Sequence, residues 1–316
     1  MVSWRLPNEK KVNYIEPTQE KLWQGEESES PFFVFAPFSD ESPAFCTYLD
    51  AQNYVYVGAP KSPATSNKLG YMTLVAKSVE AIQSGKYNKL VAARVIEEDL
   101  PNFDPFDHFS VLMERHENAF CYIWYSPSTG MWMGASPELL LARNNEQIQT
   151  MALAGTRSAG QGDFGDKELE EQDIVLQYLE KTLKPYSKSL NITNKTKANS
   201  GHLTHLKNEI SAELRDPTQN IFPIIRALHP TPAVAGLPKK EAIDFLVKEE
   251  GFSRSYYAGY LGLHAKNASH LFVNLRCMQV LGEKQYIYVG AGLTAQSNPE
   301  LEWLETEEKA RVVRLS

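Results

Sequence analysis

Between residues 32 and 153 the chain keeps returning to one unit, a short aromatic or β-branched run closed by Pro, Gly, Ser or Asn: Phe32 to Phe35, Tyr54 to Gly58, Leu90 to Ile96, Phe120 to Tyr125, Met131 to Gly134 and Ile148 to Leu153. Runs of this length and composition pack as strands. Ser126-Pro127-Ser128-Thr129-Gly130 joins two of them at hairpin distance, so part of the sheet is antiparallel. A second hairpin is expected from Leu271 to Val280 and Gln285 to Val289, turning at Leu281-Gly282-Glu283-Lys284. Helical periodicity interrupts these runs at Lys68 to Ser84, Asp166 to Tyr186, Leu206 to Arg215, Lys239 to Glu249 and Pro299 to Val313. Hairpins mixed with helices predict an α+β fold rather than a doubly wound parallel sheet.

No Pro- or Ser-rich linker divides the 316 residues, which favours one large domain, 1–316. The 39 acidic against 32 basic side chains give a formal net charge of -7, and without a positive field nucleic acid is excluded as a partner. Cys46, Cys121 and Cys277 are far apart and form no CxxC pair, so they read as reduced, buried thiols. The N-terminal residues contain no apolar signal core, and the densest apolar run, Phe32 to Phe38, is too short to span a bilayer. The expectation is a cytoplasmic protein without a membrane partner, monomeric or weakly homo-oligomeric.

Several familiar motifs fail on inspection. Gly58-Ala59-Pro60-Lys61-Ser62 lacks the first glycine of a phosphate loop, and its prolines remove amides from the cradle. Gly290-Ala291-Gly292 lacks the third glycine and the βαβ setting of a dinucleotide site. His202 and His205 lie three apart without the adjacent glutamate of a zinc-protease helix, and no GxSxG elbow occurs.

Carboxylates are more suggestive. Asn298 is a natural N-cap with Pro299 at the first helical position, and Glu302, Glu305 and Lys309 then follow at i, i+3 and i+7 on one helix face. Glu168 and Glu171 form a similar pair near the start of another helix. Two such pairs suit a hard divalent cation. They suit equally well a solvated face, where a Glu305 to Lys309 pair contributes only ~0.3–0.5 kcal/mol. Arg276 shares an apolar strand with Phe272 and Met278, where its charge requires an anionic partner, and Lys89 opens another strand, where desolvation favours a neutral amine. Each also reads as a cation reaching solvent from a strand end.

These segments, taken in order, resemble the chorismate-utilising enzymes, the family of isochorismate, salicylate, anthranilate and aminodeoxychorismate synthases. The matching pieces are Gly134-Ala135-Ser136-Pro137-Glu138-Leu139-Leu140, Leu153-Ala154-Gly155-Thr156-Arg157, the Glu168/Glu171 segment and His202-Leu203. Further on come Leu228-His229-Pro230-Thr231-Pro232-Ala233-Val234-Ala235-Gly236-Leu237-Pro238, Ser253-Arg254-Ser255-Tyr256-Tyr257-Ala258-Gly259, Val273-Asn274-Leu275-Arg276 and Gly290-Ala291-Gly292. The last is Pro299-Glu300-Leu301-Glu302-Trp303-Leu304-Glu305-Thr306-Glu307-Glu308-Lys309. The match runs from about residue 70 to the C-terminus, and residues 1–70 match weakly. The family fold is a single α+β domain of large, mostly antiparallel sheets flanked by helices, like that of anthranilate synthase component I.

The resemblance implies roles. Lys89 stands where the water-using members have lysine and the ammonia-using members glutamine, so Lys89 is expected to activate a water that attacks C2 of chorismate while Glu138 protonates the departing C4 hydroxyl. Glu171 and Glu305 are implied as direct Mg2+ ligands, with Glu168 and Glu302 acting through water. Arg276, Tyr257 and Lys309 are implied to hold the substrate carboxylates, with backbone amides near Gly155, Thr156, Gly290 and Gly292, and His202 to face the ring. Ala233 stands where salicylate synthases carry threonine, which ranks isochorismate synthase, serving menaquinone or siderophore synthesis, above salicylate synthase. Anthranilate or aminodeoxychorismate synthase and a non-catalytic chorismate-binding protein rank lower. Gln172 departs from a histidine usual in the family, and the short N-terminal part argues against the effector elements of anthranilate synthase.

Overall fold

A computed structural model of the chain describes residues 1–15, 21–39, 42–47, 57–158, 160 and 162–314. In chain order the first strands are β1 (Val2–Arg5), β2 (Asn13–Ile15), β3 (Lys21–Leu22), β4 (Phe32–Ala36), β5 (Phe45–Thr47), β6 (Lys89–Asp99), β7 (Phe120–Ser126), β8 (Gly130–Ser136), β9 (Leu139–Asn144) and β10 (Gln147–Ser158). After these come β11 (Ser187–Ile192), β12 (Thr196–Ser200), β13 (Leu203–Leu214), β14 (Gly236–Leu237), β15 (Tyr260–His264), β16 (Ala268–Val273), β17 (Cys277–Leu281) and β18 (Lys284–Leu293). The helices are α1 (Lys68–Gln83), α2 (Pro105–Arg115), α3 (Asp166–Leu183), α4 (Phe222–Leu228), α5 (Lys239–Glu249) and α6 (Pro299–Ala310).

The strands form two antiparallel sheets, one ordered β14-β6-β18-β17-β8-β7-β1-β2 and the other β11-β13-β10-β9-β16-β15-β4-β5-β3, with β12 on β13. This is the α+β architecture expected. Aromatic side chains fill the space between the sheets: Phe35 lies 4.9 Å from Trp124 and 4.4 Å from Tyr256 between ring centres, and Phe120 stacks on Phe272 at 4.3 Å. The three cysteines are buried. Among the described residues no helix is long and apolar enough to cross a membrane.

Most elements read from the sequence are present, and helix α6 begins as its caps require, with Asn298 Oδ1 accepting from the amides of Glu300 and Leu301. Two readings are corrected. The segment expected as a helix over Leu206 to Arg215 belongs to the strand β13, whose buried residues Leu206, Asn208, Ile210, Ala212 and Leu214 alternate with more exposed ones. Leu206 and Ile210 also fit helical spacing. The polar Asn208, held inside by Gln172, hides the period of two. The single strand expected over Leu271 to Val280 is two strands in different sheets, β16 and β17, broken at Asn274–Arg276, where Arg276 takes a φ of 50°. The run expected at Tyr54 to Gly58 falls outside the described residues up to 56, and Val57 and Gly58 are not in a strand.

The break in that strand has a counterpart. The chain passes from the first sheet to the second between β8 and β9, and returns between β16 and β17. The crossings are pinned together: the Val273 amide donates to Glu138 O at 3.0 Å, Ala135 to Arg276 O at 3.0 Å, and Ser136 Oγ to Val273 O at 2.5 Å. Glu138 sits on one crossing and Arg276 on the other.

Candidate active site

A partly open cleft with a cavity volume of about 60 Å³ lies beside these crossings. Its walls include Glu138, Thr156, Glu171, Ala233, Tyr257, Arg276, Gly290, Gly292 and Lys309, brought from strands, helices and loops of both sheets. Residues more than 170 positions apart thus meet in one place, which their order in the chain does not require.

Glu138 is buried, and Thr231 Oγ1 lies 3.5 Å from its Oε1. Burial pushes its carboxyl up to about 8 despite the opposing pull of Lys89, Thr231, Arg276 and Lys309. Glu138 is therefore a neutral acid at neutral pH. Lys89, fully buried at the start of β6, faces Glu171 of α3 across 3.0 Å, and its Nζ makes no well-formed hydrogen bond. Burial alone would raise the Glu171 carboxyl, but the ammonium groups of Lys89, Lys167 and Lys309 outweigh it and hold the group below its ordinary value.

The glycines of β18 make room for these groups. A Cβ on Gly292 would lie 2.0 Å from Glu171 Oε1, and one on Gly290 would lie 2.9 Å from the Tyr257 hydroxyl. Gly155 has another task. It takes a φ of 63° at a bulge in the β10–β13 ladder, and its missing Cβ admits Glu168 of α3 at 2.9 Å.

Two cations are placed for an anion. Arg276 is buried, with Nη1 unpartnered among the described residues and Nη2 3.2 Å from His205 Nε2; burial, only partly offset by Tyr257 and Glu305, lowers its guanidinium to about 10. Lys309 Nζ donates to Gly290 O at 2.9 Å and pairs with Glu305 at 2.6 Å. His205, not His202, is the histidine of the cleft. Arginine can only donate, so His205 Nε2 accepts and Nδ1 carries the proton toward Thr156 Oγ1, 3.1 Å away. Burial, with Arg276 and Lys309 nearby, holds the ring well below its usual range and thus neutral. His202 lies outside the cleft, partly exposed, with Nε2 3.0 Å from Glu308 O. His205 lies on the β13 face opposite Leu206, Asn208 and Ile210, and it meets Thr156 where the β10–β13 register shifts at Gly155, a feature that no local sequence pattern marks.

The four carboxylates named for a metal each take a basic partner. Glu168 accepts from Arg157 at 3.1 Å and from the Gly165 amide at 2.7 Å, closing the start of α3; Glu302 pairs with Lys167 at 2.5 Å. Glu171 and Glu305 hold Lys89 and Lys309. Among the described residues no three metal-ligating side chains converge on one point. The chemistry of the set still suits a hard cation. All donors are carboxylate oxygens, Glu302 Oε2 is buried without a partner, and burial together with Glu305 pushes the Glu302 carboxyl up to about 7.

A buried neutral acid thus stands beside buried cations where two antiparallel sheets cross. The family model for chorismate binding enzymes matches residues 59–314, and the chain belongs to that family. The chain is 28% identical over 257 residues to the isochorismate synthase MenF of Haemophilus influenzae, covering 78% of this chain and 60% of the relative. To the salicylate biosynthesis isochorismate synthase of Pseudomonas aeruginosa it is 29% identical over 271 residues, covering 81% and 56%. The chain thus spans under two thirds of the length of these relatives. A crystal structure assigned as the 2,3-dihydroxybenzoate-specific isochorismate synthase DhbC of Bacillus anthracis superposes with a TM-score of 0.80 at 26% identity, over 90% of this chain and 83% of that one.

Proposed function

We propose that the protein is a Mg2+-dependent isochorismate synthase, converting chorismate to isochorismate for menaquinone or siderophore synthesis. The observation that carries this reading is one cleft lined by the neutral acid Glu138, Arg276, Lys309 and Glu171, with the buried Lys89 behind the lining in contact with Glu171. The names of the relatives support it.

Arg276, through its unpartnered Nη1, and Lys309 bind the carboxylates of chorismate, and Tyr257 lies against the strand glycines beside them. Lys89 takes a proton from the water that attacks C2, and Glu138 gives its proton to the departing C4 hydroxyl. Glu171 and Glu305 would hold a Mg2+ ion, with Glu168 and Glu302 acting through water, and the ion would supply positive charge against the ring carboxylate. His205, held neutral between Thr156 and Arg276, keeps the guanidinium aimed into the cleft.

The test is product analysis from purified protein, chorismate and Mg2+. Isochorismate without pyruvate is expected. Salicylate with pyruvate would replace this reading with salicylate synthase, anthranilate formed from added ammonia would move the protein to that branch, and binding without conversion would make it a chorismate-binding protein.

A further inference from the structure

Strand β6 runs along an edge of its sheet that is only briefly covered. Its neighbour β14 has two residues, pairing Gly236 with Leu90 and Leu237 with Lys89. Beyond that, Val91 N donates to Ala235 O at 2.8 Å, and the chain then turns away at Thr231–Ala235. The next groups on this edge, Val91 O and Ala93 N, are buried and need partners. Both find them in one side-chain pair.

Arg254 Nη2 donates to Val91 O at 2.5 Å, and Glu250 Oε1 accepts from Ala93 N at 2.9 Å. The same guanidinium binds Glu250 through Nε at 2.8 Å and through Nη2, and donates from Nη1 to Val234 O at 2.7 Å. Both residues are less than a tenth exposed. Arg254 O also receives the Tyr257 amide at 2.9 Å. Val91, Val234 and Tyr257 all line the cleft, and Lys89 lies two residues before Val91.

We propose that the Arg254–Glu250 pair positions the reaction's base: it stands in for the missing strand beside β6 and locks the strand bearing Lys89 to the Val234 wall of the cleft. The proposal rests on the isochorismate synthase reading for its consequence in turnover. Its geometry is independent of that reading. Neither side chain touches the cleft, so both act through Lys89, Val234 and Tyr257. A shift of about 1 Å in a reacting group costs on the order of 100-fold in rate. Replacing the pair by apolar residues also strips Val91 O, Ala93 N and Val234 O of their partners, so activity is compared per folded molecule.

The experiment compares Arg254→Met/Glu250→Leu and Arg254→Lys with the parent protein by thermal unfolding, by kcat and KM for chorismate, and by amide exchange over residues 89–95. The double variant is expected to fold but to melt below the parent, because Val91 O, Ala93 N and Val234 O lose their partners, to lose about 100-fold in kcat per folded molecule with KM changed less than about threefold, and to expose the Ala93 amide to faster exchange while β18 stays protected. Arg254→Lys keeps the charge and part of the bonding, and is expected to fall between the two. Parental kcat in the double variant, a rise in KM alone, or activity lost only in proportion to unfolded protein in both variants would overturn the proposal. If the parent protein yields no isochorismate, the functional reading falls, and the exchange at Ala93 then decides the positioning claim by itself.

Discussion

Lys89 Nζ lies 3.0 Å from Glu171 Oε1, with the lysine wholly buried and the glutamate side chain about a tenth exposed. The proposed base and a proposed Mg2+ ligand thus meet in one contact.

Breaking that pair from one side leaves a buried charge uncompensated. Lys89→Met is expected to destabilise the metal-free protein by about 3–5 kcal/mol, and Lys89→Met/Glu171→Leu to recover most of the loss. Denaturant unfolding without divalent ions measures both. Equal stability of Lys89→Met and the parent would show that the pair is not formed in solution. In turnover, Lys89→Gln is expected to lose about 10²–10⁴ in kcat.

The Mg2+ assignment is checked without catalysis. Calorimetric titration of Mg2+ into the parent, Glu171→Gln and Glu305→Gln proteins is expected to show weaker binding in both variants, by roughly 10–100-fold, the range seen for lost metal-site partners. Unchanged affinity in both would remove these carboxylates from the site.

Glu138 provides a pH signature. Its folded value of about 8 lies above the ordinary carboxyl value, so it favours folding most at low pH, and that contribution is lost as pH rises from the ordinary carboxyl range through about 8. Turnover should fall over the upper part of the same window as the acid loses its proton. Glu138→Gln is expected to abolish turnover and to flatten the decline in unfolding free energy between pH 5 and 9, followed by urea titrations at intervals across that range.

Gly292 has no left-handed φ, so alanine fits the strand itself and only the space beyond is contested. The added Cβ meets Glu171 Oε1 at 2.0 Å and must push it from Lys89. Gly292→Ala is expected to fold and to lose about 100-fold in kcat. Normal turnover in that variant would mean that Glu171 need not occupy this position.

Arg276→Lys keeps one charge but loses the fork that reaches both His205 and a carboxylate. KM for chorismate is expected to rise by roughly 10–100-fold, the equivalent of one charged hydrogen bond, with kcat less affected. Steady-state kinetics at saturating Mg2+ separate the two.

Much of the site was legible because its residues lie in compact local motifs. Glu138 in Gly134 to Leu140, Arg276 after Val273-Asn274, and the pair Gly290 and Gly292 were each recognisable from a few neighbours, and all of them line the cleft. His205 rather than His202 reaches the cleft because of the register shift at Gly155 in the β10–β13 ladder, which strand alternation in the sequence does not reveal. Arg276 appeared to lie on a continuous strand because nothing in Leu271 to Val280 marks a change of sheet. The left-handed turn at Arg276 is imposed by the crossing beside Glu138.

The amino-acid sequence by itself determined the α+β class, the hairpins and the chemical identity of the groups, since short-range periodicity, caps and turns are written in neighbouring residues. Only the tertiary structure decided which charges face each other. Lys89 meets Glu171, Lys167 meets Glu302, and Arg254 with Glu250 completes the edge of β6. Those pairings depend on how two sheets cross and which buried atoms are left without partners, and both are settled by burial across long chain separations rather than by any local pattern.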